Sequence, residues 1–200
     1  MTAPSPLHLG VLVSGVGSNL QAILDAIAAG HLNARVKVVI ANRPGAQALE
    51  RARAAGVSGL TIPHKDFPSR EAFDRALVGA LREAEVNWIV LAGFMRVLTP
   101  EFLSAFPGRV VNIHPSLLPA FPGVDAAKQA FEYGVKLTGC TVHFVDHGVD
   151  SGKIIAQRAV PIEVTDDLSS LGARIHSAEH GLLVDVLREI AAGRVVPFEA

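Results

Sequence analysis

The stretch Leu9-Gly-Val-Leu-Val-Ser-Gly-Val-Gly-Ser-Asn-Leu20 decides the fold class, because it joins an apolar run to a glycine-rich turn and then to a helix. The run at residues 9–13 is apolar without alternation, which is typical of a strand buried on both faces. From residue 18 to 29 apolar residues recur at helical spacing, and Gly30 ends that pattern. The stretch therefore predicts the first strand, turn and helix of an α/β sheet.

The same alternation of apolar runs and helical patterns continues up to residue 115. We predict further strands at residues 36–40, 60–62, 87–92 and 110–113. We predict helices between them at residues 46–55, 70–85 and 100–105. Buried strands that alternate with helices indicate βαβ units and a parallel sheet covered on both faces.

Beyond Pro115 the pattern changes. A proline-rich loop precedes a helix, two strand-like runs with a short Asp- and Gly-rich link, and a long final helix, at residues 125–133, 140–145, 153–162 and 168–192. The short link would let the two runs pair antiparallel. The sequence thus predicts the α/β class, as a single doubly wound domain over residues 1–200 with a mostly parallel mixed sheet and helices on both faces.

The composition restricts the compartment and the partners of the chain. Its 200 residues are 50% hydrophobic and 18% charged, which excludes intrinsic disorder. A formal net charge of -1 gives no electrostatic footprint for nucleic acid. The lone cysteine, Cys140, excludes an internal disulfide and indicates a reducing compartment. Since no apolar run approaches the ~20 residues of a membrane span and no signal-peptide pattern opens the chain, we predict a soluble, cytoplasmic protein.

The glycine-rich turn has the composition of a phosphate-binding loop. Gly15 and Gly17 allow a tight turn, and the helix that follows presents free N–H groups and the positive end of its dipole. A capping role for Ser18 or Asn19 is the alternative. A dinucleotide-binding loop is disfavoured, because its third glycine would fall at Leu20 and no acidic residue follows the second strand.

Asn112, His114 and Asp150 are candidate catalytic residues. Asn112 and His114 are two positions apart on a predicted strand, so their side chains share a face. An amide can stabilise an oxyanion and an imidazole can move a proton, whereas a turn Asn and a core His are the alternative. Asp150 lies between Gly148 and Gly152, as turn acids do. Beside His114 it would stabilise the imidazolium, but the sequence leaves open whether the two meet.

The segment His176-Ser-Ala-Glu-His180 matches the zinc-binding pattern H-x-x-E-H on a predicted helix. A zinc peptidase needs a further ligand and a substrate cleft, and few residues remain after His180 to supply them. The alternative is a polar helix face on which Glu179 is available to a ligand. We therefore predict no metal site.

Five motifs occur in one order along the chain: Ser14-Gly-Val-Gly-Ser-Asn-Leu20, Leu91-Ala-Gly-Phe-Met-Arg96, Asn112-Ile-His-Pro-Ser-Leu-Leu-Pro119, Thr138-Gly-Cys-Thr-Val-His143 and Val149-Asp-Ser-Gly152. Over residues 9–194 the chain resembles the folate-dependent phosphoribosylglycinamide formyltransferase family. The resemblance implies formyl transfer from 10-formyltetrahydrofolate to the amine of 5-phosphoribosylglycinamide in purine biosynthesis. A formyltetrahydrofolate deformylase-type hydrolase is the alternative. We expect no room in the chain for the additional domains of deformylases and methionyl-tRNA formyltransferases.

The resemblance also assigns roles to individual residues. It implies that Asn112, His114 and Asp150 are catalytic. The residues implied for the ribonucleotide are Gly17, Ser18, Asn19 and Glu179. Those implied for 10-formyltetrahydrofolate are Arg70, Met95, Arg96, Val97, Leu98, Asn112, Asp146, His147, Gly148, Val149 and Asp150. We expect small-molecule substrates, no metal, no nucleic-acid or membrane partner, and a monomer or homodimer.

Three positions depart from the family pattern. Val16 stands inside the glycine-rich loop where Asn is common. Val124-Asp-Ala126 stands where His-containing sequences are frequent, in a loop that closes over the site in relatives. Gly181-Leu-Leu183 replaces a Tyr-Pro-like ending. None of these positions belongs to the three implied catalytic residues.

Overall fold

The described part of the chain, residues 5–198 of the computed structural model, forms one sheet of seven strands. The strands are β1 (Leu7–Val13), β2 (Ala34–Ala41), β3 (Ser58–Thr61), β4 (Trp88–Leu91), β5 (Val110–His114), β6 (Leu137–Phe144) and β7 (Ile154–Pro161). They lie in the order β3-β2-β1-β4-β5-β6-β7. β1 to β5 are parallel, while β6 is antiparallel to β5 and β7 to β6. The predicted mostly parallel mixed sheet and its antiparallel pair are confirmed.

Six α-helices belong to the described residues: α1 (Ser18–Ala28), α2 (Ala48–Ala54), α3 (Arg70–Glu83), α4 (Pro100–Ala105), α5 (Ala126–Tyr133) and α6 (Leu168–Ala191). Each of them was predicted, and Pro100 begins α4 at the expected position because proline suits the first turn of a helix. The sequence patterns did not predict the short 3₁₀ turn at His64–Asp66, which precedes α3.

Different helices cover the two faces of the sheet, as the doubly wound prediction requires. α1, α2 and α6 pack on one face, where Leu20 and Leu183 are fully buried. α3 and α4 pack on the other face, around the fully buried Leu77 and Phe102. Full burial of one such side chain contributes about 1.5–3 kcal/mol to folding, so the two apolar layers hold the scaffold rigid.

The strand order reverses next to β1. From β1 the chain moves outward through β2 and β3, and it then returns to the other side of β1 as β4. The carboxyl ends of β1 and β4, at Val13 and Leu91, therefore border a crevice of the kind in which ligands bind. Just beyond these ends, the N–H of Ser14 donates to the carbonyl oxygen of Gly93 at 3.1 Å.

No helix within residues 5–198 is long and apolar enough to cross a membrane. The elements predicted over these residues all belong to the sheet or to the helices that cover it. The expectations of a domain over residues 1–200 and of no signal peptide also involve residues 1–4 and 199–200, which lie outside the described residues.

Candidate active site

The structure brings Asn112, His114 and Asp150 together. Asn112 and His114 lie two residues apart on β5, on the face opposite to that of Ile113 in the core. The link between β6 and β7 carries Asp150, whose Oδ2 is 3.3 Å from His114 Nδ1. Asp150 Oδ1 accepts a hydrogen bond from Asn112 Nδ2 at 3.4 Å. The contact that the sequence left open between the imidazole and the carboxylate therefore exists.

His143 is a fourth member of this cluster, and sequence reasoning missed it. It lies on β6 directly across from Asn112. Its Nδ1 is 2.8 Å from the carbonyl oxygen of Phe144, which can only accept, so Nδ1 carries the proton in the neutral ring. In the neutral ring its Nε2 accepts from Asn112 Nδ2 at 3.1 Å, while a protonated ring would place its positive charge 3.7 Å from Asp150 Oδ1. Asn112 Nδ2 thus has acceptors on two sides.

The environment of Asp150 keeps its carboxyl group ionised. Burial by itself raises the pKa of Asp150, but the neighbouring His143, the N–H of Gly123 and the charge of His114 together hold that pKa below its usual value. The shortest of these contacts is the hydrogen bond that the Gly123 N–H donates to Asp150 Oδ2 at 2.7 Å. A buried carboxylate beside an imidazole is the arrangement that orients and stabilises an imidazolium.

The loop before α5 lies directly on the catalytic cluster. The carbonyl oxygen of Phe121 is 2.9 Å from His114 Nε2, and Gly123 contacts Asp150. Both ring nitrogens of His114 therefore face acceptors, which the imidazolium form satisfies at once. Phe121 holds a left-handed φ of 53°, which turns its carbonyl toward the ring. A ligand oxygen that bonds to His114 Nε2 has to replace this carbonyl.

The glycine-rich loop, residues 15–19, begins α1 without a side-chain cap. The N-cap residue is Gly17, and no side chain bonds to the first turn. By contrast, Ser69, Thr99 and Asp167 cap α3, α4 and α6. The alternative role of Ser18 or Asn19 as a cap is therefore wrong, since both residues lie inside α1; α2 and α5 also begin without a side-chain cap.

Gly17 is required at its position for two reasons. Its φ of 76° lies in the left-handed region, which side chains with a Cβ rarely adopt. A Cβ at this position would also lie 2.6 Å from the Cβ of Ala48 on α2. The loop is thus a backbone structure whose shape depends on the absence of a side chain.

Asn19 and Glu179, both predicted to bind the ribonucleotide, are in contact. Asn19 Nδ2 donates to Glu179 Oε2 at 3.3 Å, and His176 Nδ1 lies 2.8 Å from the same oxygen. Glu179 is 3% exposed, and Asn19 Oδ1 is buried without a hydrogen-bond partner among residues 5–198. Glu179 therefore brings a buried carboxylate from α6 to the glycine-rich loop.

The zinc pattern does not assemble a metal cluster. Within residues 5–198, no three His, Cys, Asp or Glu side chains are grouped so that they could hold a metal ion. His176 instead bonds to Glu179, and this hydrogen bond raises the pKa of His176 despite its partial burial. His176 and Glu179 thus contact each other on α6, and Glu179 also contacts Asn19.

We call residues 95–98 the folate segment, after the ligand that is predicted for them. This segment is anchored while two of its side chains stay exposed. Arg70 Nη2 donates to the carbonyl oxygen of Val97 at 2.9 Å. Met95 and Val97 are 67% and 44% exposed and so are accessible to a ligand. The Leu98 side chain is buried in the core with Phe102 and so anchors the segment.

The link between β6 and β7 forms a turn around Asp146. Asp146 Oδ1 accepts from the N–H of Gly148 at 3.0 Å and from Ser151 Oγ at 2.8 Å. His147, Gly148 and Val149 are exposed on the outside of this turn. The turn thus supports Asp150 from within and presents its predicted folate-binding residues to solvent.

Comparison with known proteins agrees with this geometry. The formyl transferase family profile matches residues 7–187. The phosphoribosylglycinamide formyltransferase of Bacillus subtilis is 42% identical over 180 residues, which are 90% of this chain and 92% of that protein. The trifunctional purine biosynthetic protein adenosine-3 of Drosophila melanogaster is 56% identical over 175 residues, which are 86% of this chain but only 13% of that protein.

A solved structure is similar over nearly the whole chain. The crystal structure of glycinamide ribonucleotide transformylase 1 from Symbiobacterium toebii superimposes with a TM-score of 0.93 at 51% sequence identity. The match covers 96% of this chain and 90% of that one. Fold and sequence are therefore similar over the same residues that build the site.

Proposed function

Because this chain belongs to the formyl transferase family, we propose that it transfers the formyl group of 10-formyltetrahydrofolate to the amine of 5-phosphoribosylglycinamide in purine biosynthesis. The names of the relatives that match along most of their own length support formyl transfer to this ribonucleotide acceptor. The observation that carries the proposal is the convergence of Asn112, His114 and Asp150, with His114 Nδ1 3.3 Å from Asp150 Oδ2.

The proposed reaction is a direct transfer. The substrate amine attacks the formyl carbon, a carbon–nitrogen bond forms, and the carbonyl electron pair moves to oxygen. The bond from that carbon to the folate nitrogen then breaks, while the amine proton passes to the folate nitrogen through water or His114. No covalent bond to the protein is needed, so the catalytic work is charge stabilisation and proton transfer.

Three side chains carry out this work, and a fourth, His143, positions one of them. Asn112 and the imidazolium of His114 stabilise the oxyanion of the tetrahedral intermediate. Asp150, held as a carboxylate, orients the ring and supports its positive charge. His143 positions the Asn112 amide through the 3.1 Å contact with Asn112 Nδ2. To reach the formyl oxygen, His114 Nε2 exchanges the Phe121 carbonyl for that oxygen, and Asn112 Nδ2 exchanges its 3.4 Å contact with Asp150 Oδ1 for it.

The two substrates bind at different loops. The backbone N–H groups of Gly17, Ser18 and Asn19 bind the ribose phosphate at the uncapped end of α1, and Glu179 contacts the ribose or glycinamide portion. 10-Formyltetrahydrofolate lies along the folate segment and the link at residues 146–150. Arg70, next to that segment, is the cation for the carboxylate end of the folate.

Purified protein with both substrates tests the proposal. We expect the ¹³C-labelled formyl group of the donor to appear on the glycinamide nitrogen, as followed by NMR. Omission of the ribonucleotide is the control, because release of formate at the same rate without it would show a hydrolase instead. Size-exclusion chromatography with light scattering tests the accompanying proposal of a monomer or homodimer. We also propose a cytoplasmic location.

A further inference from the structure

Ser14 joins the two loops to which the proposed function assigns different substrates. It follows β1, precedes the glycine-rich loop and is only 2% exposed. Its hydroxyl accepts from the backbone N–H of Met95, the first residue of the folate segment, at 2.8 Å. The same hydroxyl donates to Asn42 Oδ1, at the end of β2, at 2.8 Å.

The two hydrogen bonds fix the orientation of this hydroxyl. A backbone N–H can only donate, so Ser14 Oγ accepts from Met95. Asn42 Oδ1 can only accept, so the hydroxyl proton points toward it. Alanine at position 14 would remove a partner from both, and Asn42 is 3% exposed, so water cannot readily replace that partner.

The glycine-rich loop has supports that do not involve this hydroxyl. The N–H of Ala48 donates to the carbonyl oxygen of Gly15 at 3.1 Å. Arg51 Nε donates to the carbonyl oxygen of Val16 at 2.9 Å. The folate segment, by contrast, is bonded at Met95 N–H by Ser14 and at the Val97 carbonyl by Arg70. Loss of the hydroxyl therefore affects the two loops unequally.

We propose that Ser14 is a positioning residue that holds the folate segment in register with the glycine-rich loop, so that the formyl donor lies correctly against the amine. The inference rests on the proposed function, because it needs a folate at residues 95–98. Misplacement of a reactant by about 1 Å can cost about 10²-fold in rate, so one hydroxyl between the loops is sufficient for a measurable effect.

Steady-state kinetics of Ser14→Ala test the proposal. We expect kcat to fall and KM for 10-formyltetrahydrofolate to rise, each by about tenfold, while KM for the ribonucleotide stays within about twofold.

Asn42→Ala is the second variant: it keeps the bond from Met95 N–H to Ser14 and should raise the folate KM less than Ser14→Ala does. Thr138→Val is the matched control, because its buried hydroxyl has no hydrogen-bond partner in the part of the chain that the structure describes and lies at the start of β6.

Amide hydrogen exchange at Met95, followed by NMR without substrates, provides a readout besides activity. In Ser14→Ala we expect this amide to exchange about tenfold faster than in the native protein, and in Thr138→Val at the native rate. An equal rise of both KM values, or a lower Tm with unchanged kinetics, would overturn the role of Ser14. Absence of formyl transfer in the native protein would instead refute the proposed function, while the exchange rate would still report the Met95 contact.

Discussion

The catalytic cluster and the glycine-rich loop are built in opposite ways. The cluster is made of side chains from β5, β6 and the β6–β7 link, which approach within 3.1–3.7 Å of one another. The glycine-rich loop is made of backbone, and its key residue, Gly17, acts by having no side chain. Under the proposed function, formyl transfer would depend on which side chains are present in the cluster, whereas ribonucleotide binding would depend on chain conformation in the loop.

The largest effect is expected from the cluster itself. Asn112→Ala removes an oxyanion donor, and Asp150→Ala leaves His114 without its buried carboxylate. Each substitution should lower kcat by about 10²–10³-fold while calorimetry shows that both substrates still bind. Near-native turnover in either variant would contradict the role of the cluster.

The next largest effect is expected from the backbone of the glycine-rich loop. Gly17→Val forces a β-branched residue into a left-handed φ and against Ala48, so the first turn of α1 must move. We expect the KM for the ribonucleotide to rise by about tenfold or more, with much less change for the folate. Ser18→Ala, which keeps the backbone, is the control and should have a small effect. Equal changes in both KM values for Gly17→Val would remove the contrast between the two regions.

A smaller effect is expected at the edge of the folate site. Arg70→Ala removes the cation beside the folate segment and its bond to the Val97 carbonyl. We expect folate affinity to fall by about fivefold, as for one partly exposed charged contact, with ribonucleotide affinity unchanged. Calorimetric titration that gives the native folate affinity would exclude this role for Arg70.

The smallest effect concerns stability at acid pH. Because the pKa of Asp150 is lowered in the folded state, its carboxylate stabilises the fold above its unfolded pKa of about 4. That contribution is lost as the pH falls through the lower folded pKa. The free energy of unfolding of the native protein minus that of Asp150→Asn should therefore shrink as the pH falls below about 4, where the carboxylate itself is protonated. A difference that grows below about pH 4 would contradict the assigned charge.

The sequence was informative wherever structure is local. Every strand and α-helix within residues 5–198 was predicted, and the spacing of Asn112 and His114 correctly placed them on one strand face. The register between β5 and β6 could not be read from the sequence, so the pairing of Asn112 with His143 was missed. The contacts of Phe121 and Gly123 with the cluster depend on a left-handed loop conformation at Phe121, a residue type that gives no such signal.

Burial and long-range contacts could not be read from the sequence either. The side chain of Leu98, in the folate segment, packs in the core, because an apolar side chain next to α4 gains more from packing than from exposure. The contact of Asn19 with Glu179 joins residues 160 positions apart. No helical or strand period spans such a distance, so only the family resemblance pointed to a shared ligand.

A structure with 5-phosphoribosylglycinamide and a non-transferable formyl-folate analogue bound tests the central claim most directly. We expect the formyl oxygen to lie about 2.7–3.1 Å from both Asn112 Nδ2 and His114 Nε2, with the Phe121 carbonyl displaced from the ring and Asp150 still on Nδ1. A formyl oxygen that faces another part of the molecule, with Phe121 still bonded to His114, would contradict the account.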